Sequence, residues 1–351
     1  MGPALDPARP AGRGLAPPGG SGRPPATWVG LDVGGTNVRA GAVDEDGHLL
    51  SWLSYPHRMT PGQFHAVPEA AGKALDLAQL SWADVTAVGV GIAGLVDSHA
   101  GLVVDAGNLG WHDLALGPEL SRRLGVPVVI ENDVCASAIA ELAVLPGGPV
   151  SPWLYLSVGT GVGACVVLDT ADGHPLCLNI GHLPVPGGSR LCPCGKYGCL
   201  ETVASGTAFT RAASARIAAD PDHVLHSRAA TISGKDVVDS AMAGDAVSLE
   251  VLAAAGTACG YAVANLVNMF IPAGVGLAGG MMAPGSPYLV ALIEAARRDI
   301  TTWMQARFEF SCGRVGETAG VTGVVELARR RRLAGATVPR PQPRPAVMPG
   351  A

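Results

Sequence analysis

The sequence predicts a two-lobed α/β protein in which one structural unit occurs twice. Short apolar runs alternate with helical stretches through most of the 351 residues, a length that allows about two domains. A glycine-rich turn between two short apolar runs opens each half, as "DVGGTN" in the first and "SVGTGVG" in the second. We interpret this repetition as an internal duplication of one α/β unit.

The first half begins with two successive hairpins, which predict an antiparallel start to a sheet. Tight turns, "GGTN" and "DEDG", separate these apolar runs, and "PGGP" ends the half. The predicted strands are residues 28–33, 38–43, 48–54, 86–94 and 126–131, and the predicted helices are residues 63–80, 118–124 and 134–145. These elements predict a first lobe at residues 27–146.

The second half repeats the plan, with two strands around a glycine-rich turn from residue 153 to residue 169 and a further strand in "AGVGLAGGMM". The predicted helices are residues 203–218, 235–243, 248–270, 288–304 and 318–332. These elements predict a second lobe at residues 147–333, whose last helix is expected to pack back on the first lobe.

Both ends of the chain have compositions that favour disorder. Residues 1–26 contain thirteen Pro or Gly and no apolar run, and residues 334–351 are rich in Pro. The first stretch therefore reads as a disordered leader without a signal peptide, and the second as a tail. With eight scattered cysteines that form no disulfide framework, the chain is expected to be cytoplasmic.

Charge and hydropathy argue against nucleic acid and membrane as partners. A net charge of −5 argues against general binding to nucleic acid or to an anionic membrane surface. Residues 251–271 carry no charge and raise a membrane span as an alternative. Asn265 and Asn268 interrupt this run and no second run exists, so a buried helix is favoured.

The turn in "LDVGGTN" has the groups that an anion site needs. Gly34 and Gly35 offer bare backbone N–H groups, and Thr36 adds a hydroxyl. Asp32 lies at the strand end, where a carboxylate could hold a hydrated Mg²⁺. An ordinary hairpin turn remains the alternative for this segment.

The turn in "SVGTGVG" offers the same chemistry through Gly159, Thr160, Gly161 and Gly163. It matches neither the P-loop pattern nor the spacing of dinucleotide-binding glycines. Two such turns, one in each half, suit two lobes that hold a polyphosphate from opposite sides.

The segment "VIENDVCASAIAE" places Asn132 and Asp133 where a strand ends and a helix begins. A carboxylate at this point could accept a proton from a substrate hydroxyl. Asn and Asp are also favoured helix caps, so capping is the alternative.

The stretch "GHLPVPGGSRLCPCGKYGCLE" predicts a metal site. Cys192, Cys194 and Cys199 follow the pattern C-x-C-x₄-C, and His182 lies ten residues before the first of them. Three thiolates and one imidazole fill the tetrahedral shell of Zn²⁺, which is typical of a structural zinc.

Taken together, these segments resemble the ROK family (repressors, open reading frames, kinases) within the hexokinase and actin-like ATPase superfamily. "LDVGGTN" and "LSVGTGVG" are similar to the two phosphate loops of the family, and "END" to its sugar-binding and catalytic-base motif. "GH…CPCGKYGCLE" is similar to its zinc motif, and "NLVNMFIPAGVGLAGG" to its adenosine-side helix and turn. The resemblance implies two actin-like, ribonuclease H-like lobes with an interlobe cleft and a small zinc-stapled loop.

The resemblance also implies an activity, that of an ATP- and Mg²⁺-dependent sugar 6-kinase. Asp133 would be the catalytic base toward the sugar 6-hydroxyl, and Asp32 would orient the metal. The sugar-binding residues would be Asn108, Asn132, Asp133, Asn179, His182 and Glu201. The nucleotide-binding residues would be Asp32, Gly34, Gly35, Thr36, Asn37, Gly159, Thr160, Gly161, Gly163, Gly279 and Gly280.

One departure from the family pattern bears on the substrate. Sugar kinases of the family usually have Glu-x-Gly-His before the zinc cysteines, whereas this chain has "NIGH", with Asn179 in the position of the Glu. An amide both donates and accepts hydrogen bonds and carries no charge, so an altered substituent at carbon 2 or 3 of the sugar is expected. The predicted substrate is kanosamine (3-amino-3-deoxyglucose, a sugar of antibiotic biosynthesis), with glucose and then N-acetylmannosamine as alternatives.

Two non-enzymatic alternatives remain at this stage. A sugar-responsive repressor of the family would carry a helix-turn-helix domain before the first phosphate loop, where this sequence has 26 residues of leader. A catalytically silent, zinc-stabilised scaffold is the other. The expected partners are a sugar and ATP, with a homodimer as a further possibility.

Overall fold

The computed structural model describes residues 26–35, 37–56, 64–168 and 173–333. These residues form two five-stranded mixed sheets and one small three-stranded sheet. The two-lobed α/β fold predicted from the repeated hairpins is confirmed. The predicted tail and all but residue 26 of the predicted leader lie outside the described residues.

The first sheet carries the first glycine-rich turn and the END segment. The strands of this half are β1 (Thr27–Val33), β2 (Asn37–Val43), β3 (Leu53–Pro56), β4 (Val85–Ile92), β5 (Leu95–Asp97), β6 (Leu102–Ala106), β7 (Trp111–Leu114) and β8 (Val128–Asn132). The helices are α1 (Ala66–Ala78), α2 (Leu116–Leu124) and α3 (Asp133–Ala143). The strand order is β3–β2–β1–β4–β8, with β1, β2 and β3 antiparallel and β4 and β8 parallel to β1.

The second sheet repeats this topology. Its strands are β9 (Trp153–Val158), β10 (Val162–Val167), β11 (Pro175–Leu178), β12 (Gly274–Ala278) and β13 (Glu309–Cys312), in the order β11–β10–β9–β12–β13. The helices are α4 (Glu201–Ala204), α5 (Gly206–Ala218), α6 (Gly234–Met242), α7 (Ala246–Phe270), α8 (Pro287–Asp299), α9 (Thr302–Gln305) and α10 (Ala319–Leu333). Here too an antiparallel three-strand meander is followed by two parallel strands, which supports the inferred duplication.

Helix α10 closes one face of the first sheet although it comes from the end of the chain. A Cβ atom added to Gly30 of β1 would lie 2.3 Å from the Val321 carbonyl oxygen, and one added to Gly89 of β4 would lie 2.6 Å from the Val324 carbonyl oxygen. The helix backbone therefore rests on the strand backbone, and only glycine allows that approach.

Helix α3 lies between the two sheets and crosses α10. An added Cβ at Gly323 of α10 would lie only 1.8 Å from the carbonyl oxygen of Ala136 in α3. Side chains of α3, β9 and α10 form one buried cluster here, including Cys135, Trp153 and Val324. The helix that begins at Asp133 is thus held by elements of both halves of the chain.

Helix α7 is the uncharged run noted in the sequence. It is the one helix, among the described residues, that is long and apolar enough to cross a membrane. In the structure it packs along α8, where an added Cβ at Gly256 would lie 2.2 Å from the Tyr288 carbonyl oxygen and one at Gly260 2.4 Å from that of Leu292. Such close helix packing is the arrangement expected of a core helix.

Three details of the predicted elements were wrong. The helix expected at residues 203–218 is divided into α4 and α5, because the Ser205 side chain accepts the Ala208 N–H and starts a new helix. The helix expected at 288–304 likewise ends at Asp299 before α9 begins. The third strand begins at Leu53 and not at residue 48, since the N–H groups of residues 50 and 51 both donate to Ala42 and interrupt the ladder.

Candidate active site

Asp133 lies at the point where β8 leads into α3. The residue before it, Asn132, is the N-cap, and its side-chain oxygen accepts the N–H groups of Val134 and Cys135 at 2.9 and 3.0 Å. The Asn132 amide nitrogen donates to the Gly94 carbonyl at 3.0 Å. Asn132 therefore caps α3, which was the alternative considered from the sequence. The second hydrogen of its side-chain amide is left for a ligand.

The carboxyl of Asp133 is poised to exchange a proton near neutral pH. Burial raises its pKa to about 7, and the negative charge of Asp32 acts in the same direction. Hydrogen bonds from backbone N–H groups, including that of Val134 at 2.9 Å, oppose the shift. A general base works best when its pKa is near the operating pH, so this environment suits proton transfer.

Asp32 is the second carboxylate of the site and lies near the end of β1. Burial raises its pKa, while the guanidinium of Arg39, 3.1 Å away on β2, lowers it. The first turn of α10 lies against this side chain, because a Cβ added to Gly320 would be 2.9 Å from the Asp32 carboxyl carbon. The positive end of the helix dipole thus faces a carboxylate.

The first glycine-rich turn lies beside the segment that carries Asn108. The Gly34 N–H donates to the Asn37 carbonyl at 3.0 Å and closes the hairpin. A Cβ added to Gly35 would lie 3.6 Å from the backbone oxygen of Asn108, which is exposed in a short 3₁₀ turn. Thr36 lies outside the described residues.

The second glycine-rich turn is held by the start of α5. Gly159 donates to the Gly161 carbonyl at 3.0 Å, and the Thr207 hydroxyl donates to the Thr160 carbonyl at 2.9 Å. On β10, a Cβ added to Gly163 would lie 2.6 Å from the Val134 side chain. This strand therefore lies directly against the residue that follows Asp133.

The glycines predicted on the adenosine side lie next to the same turn. Gly279 has φ of +107°, and an added Cβ would lie 2.0 Å from the Val158 carbonyl oxygen, so only glycine fits. Gly280 has open space around its α-carbon. The ends of β9 and β12 thus meet at one edge of the second sheet, where both predicted nucleotide segments lie.

The four predicted metal ligands converge in the structure. The ligand atoms of His182, Cys192, Cys194 and Cys199 all lie within 4.8 Å of one another. Nδ1 of His182 is 3.6 Å from Sγ of Cys192, and Sγ of Cys194 is 3.5 Å from Sγ of Cys199. Tetrahedral zinc needs neighbouring ligand atoms roughly 3.5–3.8 Å apart, so this donor set fits Zn²⁺.

Glu201 connects the segment with the four candidate zinc ligands (residues 182–199, called the zinc loop) to the second glycine-rich turn. It is the first residue of α4, two positions after a zinc-site cysteine, and its Oε2 accepts the Val162 N–H at 3.2 Å. An added Cβ would lie 2.6 Å from this oxygen at Gly161 and 3.4 Å from it at Gly181. The carboxylate is thus packed between the phosphate-loop candidate and the segment before His182.

Asn179 is placed differently from the other candidates. It is exposed and precedes the 3₁₀ turn Ile180–His182, and its side chain makes no capping hydrogen bond. Its backbone oxygen accepts the His182 N–H at 3.1 Å. The side-chain amide of Asn179 therefore does not cap the 3₁₀ turn that follows it.

Two buried glutamates near the ends of α3 were given no role from the sequence, although Glu131 is the first residue of the END segment. Glu141 accepts the N–H groups of Arg314 and Val315 at 2.7 and 3.0 Å and ties α3 to the segment before α10. Glu131 faces His174 and Arg331. In the sequence, each of these glutamates is a charged residue in an apolar segment, which is the one signal that could have indicated a buried ion pair or hydrogen bond. Their partners are distant in the sequence and could not be identified from it.

Comparisons with known proteins agree with this architecture. The chain matches the ROK family over residues 28–331, and it belongs to that family. It is 30% identical over 312 residues to a glucokinase of Streptomyces coelicolor, a match covering 86% of this chain and 97% of that protein.

Solved structures show the same fold. A ROK family glucokinase from Streptomyces griseus, crystallised with glucose and AMPPNP, is 30% identical with a TM-score of 0.74, covering 87% of this chain and all of that one. A ROK family transcriptional regulator, a homologue of the Escherichia coli Mlc protein, is 25% identical with a TM-score of 0.76, covering 88% of this chain and 79% of that one. Because a kinase and a regulator share this fold, the fold alone does not distinguish the two functions. The residues of the site must distinguish them.

Proposed function

We propose that this protein transfers the γ-phosphoryl group of ATP to the 6-hydroxyl of glucose or a glucose-like hexose. The observation that carries the proposal is the environment of Asp133, a carboxyl at a helix start with a pKa raised to about 7. The similarity to glucokinases at about 30% identity supports it independently. Retention of this carboxyl also favours a kinase over a repressor or a silent scaffold.

Asp133 would act as the base. Its ionised carboxylate accepts the proton of the sugar hydroxyl as that oxygen attacks the phosphoryl group, and assistance of this kind contributes about 10²–10⁴-fold. Asn132 holds the strand end in place by capping α3 and offers one amide hydrogen to the sugar.

The residues present also fit the two metals. Asp32 supplies the hard carboxylate oxygen that Mg²⁺ prefers, and a bound Mg²⁺ would neutralise phosphate charge during transfer. His182, Cys192, Cys194 and Cys199 would hold Zn²⁺. With Nδ1 of His182 turned toward the thiols, its Nε2 is left to bind a sugar hydroxyl, as is the carboxylate of Glu201.

Glucose is the favoured substrate, because two of the three relatives reported above are named glucokinases. Kanosamine is the second candidate, favoured by Asn179, whose amide is exposed and makes no capping bond. An amide there matches an amino or hydroxyl substituent without requiring its charge. Cytoplasmic location and a homodimer stay predictions.

The decisive experiment is a coupled ADP-release assay with glucose, kanosamine, glucosamine, N-acetylmannosamine, mannose and allose. We expect glucose to give the highest kcat/KM. A preference for kanosamine would support a role of Asn179 in selectivity, and the variant Asn179→Glu should then shift the preference toward glucose.

The variant Asp133→Asn tests the role of the proposed base directly. It should lower kcat by about 10²–10⁴-fold while hexose binding is retained. No ADP release with any hexose, together with sequence-specific binding to DNA in a gel shift, would overturn the proposal in favour of a repressor. Unchanged turnover of Asp133→Asn would remove this residue from the mechanism.

A further inference from the structure

A cluster of one buried carboxylate and two half-buried basic side chains is centred on Glu131, the first residue of the END segment. Glu131 is only 4% exposed although it is charged. Burial raises its pKa, and the positive charge of Arg331 lowers it. A buried carboxylate of this kind needs cationic partners and hydrogen bonds to remain ionised.

The two oxygens of Glu131 have different partners. Oε1 accepts the backbone N–H of Asn132 at 2.9 Å, which fixes the strand end next to Asp133. Oε2 is 3.3 Å from Nε2 of His174 and 3.7 Å from Nη2 of Arg331. One carboxylate therefore links the backbone of the catalytic segment to two basic side chains.

These two basic side chains come from outside the first sheet. His174 immediately precedes β11, the edge strand of the second sheet, and Arg331 lies in α10. Both also bind Ser98, which follows β5: its hydroxyl lies 3.2 Å from Nε2 of His174, and its carbonyl accepts from Arg331 at 2.5 Å. The cluster thus joins both lobes and α10 beside the proposed base.

This arrangement makes the cluster sensitive to the relative position of the lobes. A hydrogen bond or ion pair to a buried carboxylate weakens with distance, so moving His174 away leaves Glu131 with one basic neighbour fewer. Because Oε1 of the same carboxylate holds the Asn132 backbone, a change at Oε2 is transmitted to the segment that carries Asp133.

We propose that Glu131 and His174 are positioning residues, which hold Asp133 in its reactive position when the lobes have the arrangement seen here. The inference rests on the proposed hexose kinase activity. Neither side chain touches substrate in this account; both act through the backbone at Asn132.

The test compares Glu131→Gln, His174→Gln and the double variant with the wild-type protein in the ADP-release assay with glucose. Each single variant should lower kcat and kcat/KM about equally, by roughly tenfold, with KM for glucose unchanged, because only the transition state is affected. The double variant should also lose about tenfold and not about a hundredfold, since the two residues act as one unit.

The matched control is His99→Gln. The His99 ring meets the His174 ring edge-on at 5.8 Å between centroids. This variant disturbs the same region without removing a partner of Glu131, and its kcat should stay within about twofold of the wild type. Melting temperatures of all variants are measured alongside.

Several outcomes would overturn the inference. Unchanged kcat in a folded His174→Gln variant, additive losses in the double variant, or an equal loss in His99→Gln would each do so. If His174→Gln does not fold, Ser98→Ala removes a hydroxyl next to the same imidazole and should still lower kcat without raising KM; an unchanged kcat would contradict the proposal. A wild-type protein without activity on any hexose would overturn the proposed function and this inference together.

Discussion

At the scale of single residues, the behaviour of the site depends on how Asp133 is charged. Its carboxyl is half-buried and lies near a second half-buried carboxylate, Asp32, whose negative charge disfavours ionisation of Asp133. Arg39 offsets part of this cost for Asp32, and Asp133 has only backbone N–H groups for the same purpose. Asp133 is therefore the group that titrates near neutral pH.

The first prediction concerns the pH dependence of catalysis. As the proposed base, Asp133 would act when ionised, and its pKa is raised to about 7, so kcat/KM for glucose should fall as the pH drops below about 7. The fall should approach tenfold per pH unit, as for loss of a single base. Initial rates from about pH 5 to about pH 9 test this, and an acidic limb near pH 4 would contradict it.

The second prediction concerns stability. The pKa of Asp133 is about 7 in the folded chain against a reference of 3.8, so ionisation is disfavoured by folding. The cost is absent below pH 3.8, grows as the pH rises toward 7, and is fully present above it. Asp133→Asn should therefore melt at least about 2 °C above the wild type at alkaline pH, with no difference under acidic conditions.

The control for this prediction is Asp76→Asn on α1, where the carboxyl is exposed to solvent. It should show no comparable rise in melting temperature. A lower melting temperature of Asp133→Asn at alkaline pH would mean that the carboxylate stabilises the fold.

At the scale of elements, the zinc loop and α4 form one unit. The zinc-site cysteines end two residues before Glu201, whose carboxylate accepts the Val162 N–H of the second glycine-rich turn. A zinc ion held by these residues would fix a loop that ends in a proposed sugar ligand and contacts a proposed phosphate loop. It would set distances, which is the common role of a closed four-ligand site.

The third prediction follows from this unit. Cys194→Ser should abolish stoichiometric zinc and raise KM for glucose by about 10–100-fold, while the two sheets stay folded. Zinc content, circular dichroism and initial rates measure the three effects. Cys177→Ser, which alters a cysteine outside the zinc site, should leave zinc content and the circular dichroism spectrum unchanged. Full loss of secondary structure in Cys194→Ser would contradict a merely local role.

The elements also show what the sequence could predict. The hairpins, the capping of α3 by Asn132 and the spacing of the cysteines are local patterns, and each is visible in a short segment. The small sheet β5–β7 was missed because its strands are three to five residues long and mix polar with apolar residues. The contacts Glu131–His174 and Gly163–Val134 join segments that are distant in the sequence, so no local sequence pattern predicts them.

At the scale of the whole molecule, α3 and α10 connect the two lobes. They meet at Gly323, where the helix backbones touch, and the apolar cluster around them includes side chains of the second sheet. A packed interior cannot absorb an extra methyl group without displacement. The crossing of these helices therefore controls how Asp133 sits relative to both lobes.

The fourth prediction tests this crossing. Gly323→Ala places a methyl group against the Ala136 carbonyl and should lower the free energy of unfolding by about 1–3 kcal/mol, as overpacking does. It should lower kcat as well, because α3 must shift. Denaturant unfolding and the ADP-release assay measure the two effects.

The control for this prediction is Gly72→Ala in the middle of α1, where an added Cβ meets no atom within 4 Å. This change should raise stability by roughly 0.5–1 kcal/mol, since Ala is the better helix former. A stable and fully active Gly323→Ala variant would show that the crossing tolerates movement.

The position of α10 also has a consequence for synthesis on the ribosome. The first sheet emerges early, but the helix that covers the glycine-bearing face of β1 and β4 begins only at Ala319. At about 5–20 residues per second, the roughly 200 residues between the last strand of this sheet and the end of α10 take about 10–40 s to make. During that interval the face of β1 and β4 that α10 covers in the folded protein lacks this helix. Folding of this protein is therefore completed by its last helix.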